Sequence, residues 1–266
     1  VSADQEAAPA LPRTLKFHRD REIGILELNR PQKRNALDDR TILGLHAFFS
    51  SPPPDIRAVV LAAVGENFSA GLDLAQIPAL DQASAMAHSM RWHRAFEAIE
   101  FGTLPVVSVL KGAVIGGGLE IAAATHVRVA ERSAYYALPE AQRGIFVGGG
   151  ASVRLPRLIG TSRVMEMMLT GRVYDAAAGE GAGFSHYVVD DGAGMSTALE
   201  LARKIAGNPP FSNFAVMHAL PRIAEAPPAS GYLAEAAIAA LAVTSEDAQQ
   251  RVGDFLAKRG AKVSRR

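Results

Sequence analysis

An α/β fold with mostly parallel strands is the architecture the sequence predicts, and three observations predict it. Short apolar runs rich in Val, Ile and Ala alternate with stretches whose apolar residues recur at helical spacing. Glycine-bearing loops follow two of those runs, at residues 65–71 and 112–118. From residue 152 onward the pattern turns helical, with a break at Asn208-Pro209-Pro210. Strand, loop and helix in repeated order is the pattern of parallel strands joined by crossover helices.

Taken in order, residues 14–18 and 22–29 are β-rich and flank a polar turn, so they read as a hairpin. A polar loop at 31–35 follows. Asp38 or Asp39 can cap a helix through Ile42, Leu45 and Phe48, which Ser51-Pro52-Pro53-Pro54 ends. Residues 57–64 form an apolar strand and 83–100 a helix. Strand 105–110, helix 117–125 and strands 126–130 and 134–138 follow. Helices are expected at 162–169, 195–206, 211–224, 232–241 and 246–258. The domain plan is a mobile N-terminal arm (1–13), an α/β core (14–207) and a C-terminal helical region (208–266).

Composition narrows the function. The chain has 266 residues, 48% hydrophobic and 21% charged, enough for a sizeable core. Net charge is +1 with no long basic stretch, which argues against nucleic acid as a main partner. There is no Cys, so disulfides, thiolate metal sites and cysteine nucleophiles are excluded. No apolar run reaches the ~18 residues that span a bilayer, so no membrane partner is expected. The Asn67-Phe68-Ser69 sequon stands alone as a sign of secretion, and a cytoplasmic location is expected.

The segment Gly112-Ala113-Val114-Ile115-Gly116-Gly117-Gly118-Leu119-Glu120 stands between a strand and a helix. N–H groups in the first turn of a helix have no intrahelical acceptor and can hold an anion or a developing oxyanion. The same glycines could serve only close strand–helix packing. A dinucleotide fingerprint starting at Gly116 fails, because position 121 is Ile. No phosphate loop, nucleophile elbow or zinc motif occurs, and the seven His show no ligand spacing. Glu120 lies in the first helical turn and Glu140 just after a strand; each alone could be an ordinary surface acid. The loop Gly65 to Leu74 also follows a buried strand. Two such loops could each offer one N–H to one oxygen atom.

These segments together resemble the crotonase (enoyl-CoA hydratase/isomerase) superfamily. The matching stretches are Arg30-Pro31-Gln32-Lys33-Arg34-Asn35-Ala36-Leu37, Phe68-Ser69-Ala70-Gly71-Leu72-Asp73-Leu74, Gly112 to Glu120 and Leu138-Pro139-Glu140-Ala141-Gln142-Arg143-Gly144. Arg157-Leu158-Ile159-Gly160 and Leu169-Thr170-Gly171 complete the order. The likeness runs from Thr14 to Lys258. It implies a spiral of ββα units, a C-terminal helical trimerisation region and a homotrimer or dimer of trimers. It implies an acyl-CoA thioester substrate, with no metal and no cofactor beyond the coenzyme A of the substrate.

By position, the resemblance assigns oxyanion-hole N–H groups to Leu72 and Gly117 and catalytic carboxylates to Glu120 and Glu140. Hydratase members carry both acids, whereas isomerase members usually keep only the one matching Glu140. Lys33, Ala36, Ala70 and Asp73 match positions along the CoA path, and Phe255 and Lys258 match C-terminal contacts. Val147 stands where the usual hydratase pattern has Pro, and Gln250-Arg251 where many members have Glu-Gly. The implied function is reversible hydration of an enoyl-CoA. The alternatives are a double-bond isomerase using Glu140 alone, a non-catalytic acyl-CoA- or RNA-binding member, and a lyase acting on an aromatic CoA ester. The helix around 86–96 is expected to wall the acyl pocket.

Overall fold

The computed structural model describes residues 11–76, 81–257 and 259. Lys258 and residues 1–10 of the expected arm lie outside them. The chain divides into two compact units, Val1–Ile205 and Ala206–Arg266.

In the first unit, β1 (Leu15–Asp20) and β2 (Ile23–Leu28) form the hairpin, turning at Arg21 with φ 56°. Helix α1 (Asp39–Ser50) starts where the Asp38 side chain accepts the Thr41 N–H at 2.8 Å, which decides between the two candidate caps. It buries Ile42, Leu45, Phe48 and Phe49 along one stripe. β3 (Ala58–Ala63) is buried at every position, as a central parallel strand must be. Helix α2 (Gln82–Glu100) buries only its C-terminal half, through Trp92, Ala95, Phe96 and Ile99. β4 (Val106–Leu110), β5 (Ala113–Ile115), α3 (Gly117–Ala124), β6 (Val127–Glu131) and β7 (Tyr135–Ala137) follow. The unit continues through α4 (Ala151–Ile159), α5 (Thr161–Thr170), β8 (Tyr174–Asp175), α6 (Ala176–Ala182), β9 (Tyr187–Val189) and α7 (Gly194–Ala206).

Two sheets result, ordered β1-β2-β3-β4-β6-β9 and β5-β7-β8. Beyond the hairpin, every pairing in the larger sheet is parallel. Two strands and a helix recur as β1β2α1, β4β5α3 and β6β7α4. In the β3–α2 unit the second strand shrinks to one residue, Ser69, bridged to Val114 of β5. Two expectations need correction. The stretch 112–116 is not only loop, because Ala113–Ile115 pairs with β7. The region after residue 152 is not purely helical, because it contains β8 and β9. Strands of two and three residues are too short to show a period, and pairing across the sheet creates them.

The second unit is helical: α8 (Pro210–Phe214), a π-helical turn (Ala215–Ala219), α9 (Leu220–Glu225), α10 (Pro228–Val243) and α11 (Glu246–Leu256). The π turn ends two residues before Pro221, whose missing N–H forbids a regular helical bond. Among the described residues, no helix is long and apolar enough to cross a membrane.

Asn35 ties the first unit's loops together. It is buried in the left-handed region at φ 53°, where Asn is better tolerated than most residues. Its Nδ2 donates to the Val64 and Asn67 carbonyls at 2.9 and 2.8 Å, and its Oδ1 accepts the Arg30 N–H at 2.7 Å. Asn35→Ala removes the side-chain partner of three part-buried backbone groups and is expected to destabilise the protein by roughly 3 kcal/mol, read as a lower urea midpoint.

Candidate active site

The site is built where the Ser69 and Gly116 loops meet. The Ser69 N–H donates to the Ala113 carbonyl at 2.9 Å and the Ile115 N–H returns to Ser69 at 3.0 Å. The Asn67 side chain accepts the Ala113 N–H at 2.9 Å. On the other side, Leu37 donates to the Gly71 carbonyl and accepts from the Asp73 N–H, at 2.8 and 2.9 Å. This parallel bridge uses the groups flanking Leu72 and turns the Leu72 N–H the other way. Gly117 is the first residue of α3, so its N–H has no acceptor within the helix. Among the described residues neither N–H donates to a protein acceptor.

Glycine is required at this junction. A Cβ on Gly71 (φ 87°) would lie 2.6 Å from the Ile115 carbonyl oxygen and 3.2 Å from the Gly117 nitrogen. A Cβ on Gly116 (φ 52°) would lie 2.5 Å from Glu140 Oε1.

Leu72, Gly117, Glu120 and Glu140 all line one cavity of about 230 Å³. Helix α3 is buried throughout, so Glu120 is not an exposed N-terminal acid; it is 3% exposed. Its Oε1 accepts two N–H groups, from Gly149 at 2.8 Å and Ala151 at 3.0 Å. Glu140, 7% exposed, stands at the start of the turn Ala141–Arg143, and its Oε2 has no protein partner among the described residues.

The two carboxyls share a cause of perturbation and differ in their partners. Burial pushes Glu120 up, opposed by the Ala151 and Gly149 N–H groups and by the Arg154 charge. Burial pushes Glu140 up to about 7, and the Glu120 charge pushes the same way. No backbone donor from another residue opposes it there, although the Arg143 charge does so weakly.

The remaining expected site residues are spread more widely. Lys33 is exposed in the turn Pro31–Lys33, and Ala36 and Ala70 are half-buried. Asp73 is bound by Arg30 at 2.8 Å, a bond that holds its carboxyl below the usual range. None of these four lines the cavity. Phe255 is exposed in α11 of the second unit, and Lys258 lies outside the described residues.

Helix α2 does wall the cavity, but through Ala85, His88, Ser89 and Trp92, while Met86 and Met90 are exposed. The i, i+3, i+4, i+7 spacing of those four residues was visible in the sequence as one helix face. Ile145, Phe146 and Val147 form the facing apolar wall, which no periodic signal marks.

A family model described as enoyl-CoA hydratase/isomerase matches residues 18–265. Enoyl-CoA hydratase EchA19 of Mycobacterium tuberculosis is 30% identical over 247 residues, covering 91% of this chain and 93% of that protein. Among solved structures, a Rhodopseudomonas palustris protein provisionally named an enoyl-CoA hydratase superposes with TM-score 0.91 at 50% identity, covering 97% of this chain and all of that one. An enoyl-CoA hydratase from Bacillus anthracis superposes with TM-score 0.87 at 26% identity, covering 94% and 98%.

Proposed function

The chain belongs to the enoyl-CoA hydratase/isomerase family, and from that premise we propose that it adds water reversibly across the α,β double bond of an enoyl-CoA thioester. The observation that carries this reading is the convergence of two buried carboxyls and two undonated N–H groups on one cavity. The thioester oxygen takes the N–H groups of Leu72 and Gly117. As enolate charge develops, these bonds strengthen; each such donor typically contributes ~3 kcal/mol in the transition state. Glu120, whose carboxylate form two N–H groups favour, deprotonates the water that attacks the β-carbon. Glu140, held protonated by burial and by the Glu120 charge, delivers a proton to the α-carbon. The water oxygen ends on the β-carbon; after product release Glu120 gives up the proton it took from water and Glu140 regains one, which restores the starting state.

Lys33, Ala36, Ala70, Asp73, Phe255 and Lys258 belong to the same proposal as contacts to the CoA portion. So do action in the cytoplasm, independence of a metal or added cofactor, and a trimer or dimer of trimers. The exposed Tyr232, Leu233 and Leu241 of α10 support an assembly of copies.

The test is turnover of short, long and aromatic enoyl-CoA esters in ¹⁸O-labelled water. Hydration places the label on the β-carbon; a shifted double bond without label means isomerisation, and tight binding without turnover means a non-catalytic protein. Across pH, activity requires protonated Glu140. Its raised pKa means that this requirement is met below about 7 and lost as pH rises through that value. The alkaline limb of kcat/KM is therefore expected near pH 7 and absent in Glu140→Gln.

A further inference from the structure

The peptide joining Gly148 and Gly149 is held at both ends. Ser89 Oγ of α2 donates to the Gly148 carbonyl at 2.6 Å. The N–H of the same peptide unit is the Gly149 donor to Glu120 Oε1 at 2.8 Å. The next carbonyl, that of Gly149, is drawn aside by Arg154 Nη1 at 3.0 Å. Ser89 and Glu120 therefore grip opposite ends of one amide. Both residues flanking that amide are glycine, and glycine has ready access to both signs of φ, so little in the chain itself prevents the plane from turning over. Turned over, it would aim the Gly148 carbonyl at Glu120. A carboxylate is repelled by that oxygen, whereas a protonated carboxyl can donate to it.

We propose that Ser89 is a positioning residue for hydration: by holding the Gly148 carbonyl, its hydroxyl keeps the Gly149 N–H on Glu120 and so keeps Glu120 oriented as a base. The inference rests on the reading of Glu120 as the general base. Ser89 also lines the cavity, but it acts through the peptide, not on the substrate. His93 Nε2, 3.5 Å from Ser89 Oγ, stands behind the hydroxyl. The other ionisable groups around this arrangement are Arg154 of α4, its partner Glu100 at the end of α2, Glu140 across the cavity, and His88 on the cavity wall. None of them contacts the Gly148 carbonyl in place of Ser89.

The experiment compares Ser89→Ala, Ser89→Thr, Glu120→Gln and the double variant Ser89→Ala/Glu120→Gln on the best enoyl-CoA ester. Ser89 is half-buried on a helix, and Ala has the higher helix propensity, so Ser89→Ala is expected to fold. It should lower kcat by about 10-fold or more with KM nearly unchanged, as misplacing a catalytic group does. Its acid limb of kcat should move to higher pH, since Glu120 loses an N–H that favours its ionised form. Ser89→Thr, which keeps the hydroxyl, should restore both. In the Glu120→Gln background, Ser89→Ala should cost nothing more. Unchanged kcat and acid limb in Ser89→Ala, equal losses in both backgrounds, or failure of Ser89→Thr to rescue each overturns the inference. Undiminished hydration by Glu120→Gln overturns the base assignment itself, a result recognisable without any Ser89 variant.

Discussion

Glu120→Gln is expected to lower the turnover number for enoyl-CoA hydration by ~100-fold or more, and Glu140→Gln to do likewise, if both acids move protons. The substitution isolates charge from shape. In Glu120→Gln the side-chain amide carbonyl can still accept the Gly149 and Ala151 N–H groups that Glu120 Oε1 accepts at 2.8 and 3.0 Å. The side chain then stays in place while its basicity is gone. Substrate dissociation constants should change little, because neither acid is assigned a binding role. Stopped-flow turnover with a separate binding titration reads both quantities. Hydration by Glu120→Gln at the parent rate would remove Glu120 as the base. Retained double-bond shifting in Glu120→Gln with loss in Glu140→Gln would move the protein to the isomerases.

Gly71→Ala is expected to lower kcat by ~100-fold to 1,000-fold, the usual consequence of losing an oxyanion donor. Position 71 has φ 87°, a conformation that disfavours Ala, and the added Cβ would meet backbone at the Ile115 oxygen and the Gly117 nitrogen. Backbone held in a parallel bridge cannot swing aside like a flexible side chain. The clash instead parts the Ser69–Leu72 loop from the start of α3, and the two N–H groups with it. Gly181→Ala is the control, since Gly181 lies in α6 with open space where its Cβ would go. It should leave kcat at the parent value. A Gly71→Ala protein with parental kcat would show that the two N–H groups do not act together on the substrate.

Much of this protein is legible in the sequence because local rules govern it. The strand and helix alternation followed from apolar period and the start of α1 from the Asp38-Asp39 pair, although only the structure chose Asp38 as its cap. The ordered motifs from Arg30 to Gly171 were enough to point to the family that the comparisons then showed. Strands β5, β8 and β9 were missed because two or three residues carry no period and exist only through their partners.

The tertiary structure alone decided that Glu120 and Glu140 share a cavity, since 20 positions of chain separate them and spacing says nothing about where either points. It also decided that Glu120 is buried and held by two N–H groups from a loop about 30 residues further on. The physical reason is the same in both cases. Local sequence sets dihedral preferences and apolar faces, but the environment of a carboxyl is set by whatever the fold packs against it. The glycines and acids were written in the chain; the cavity that gives them a common target exists only where α2, the start of α3 and the loops at Leu72 and at 140–149 come together.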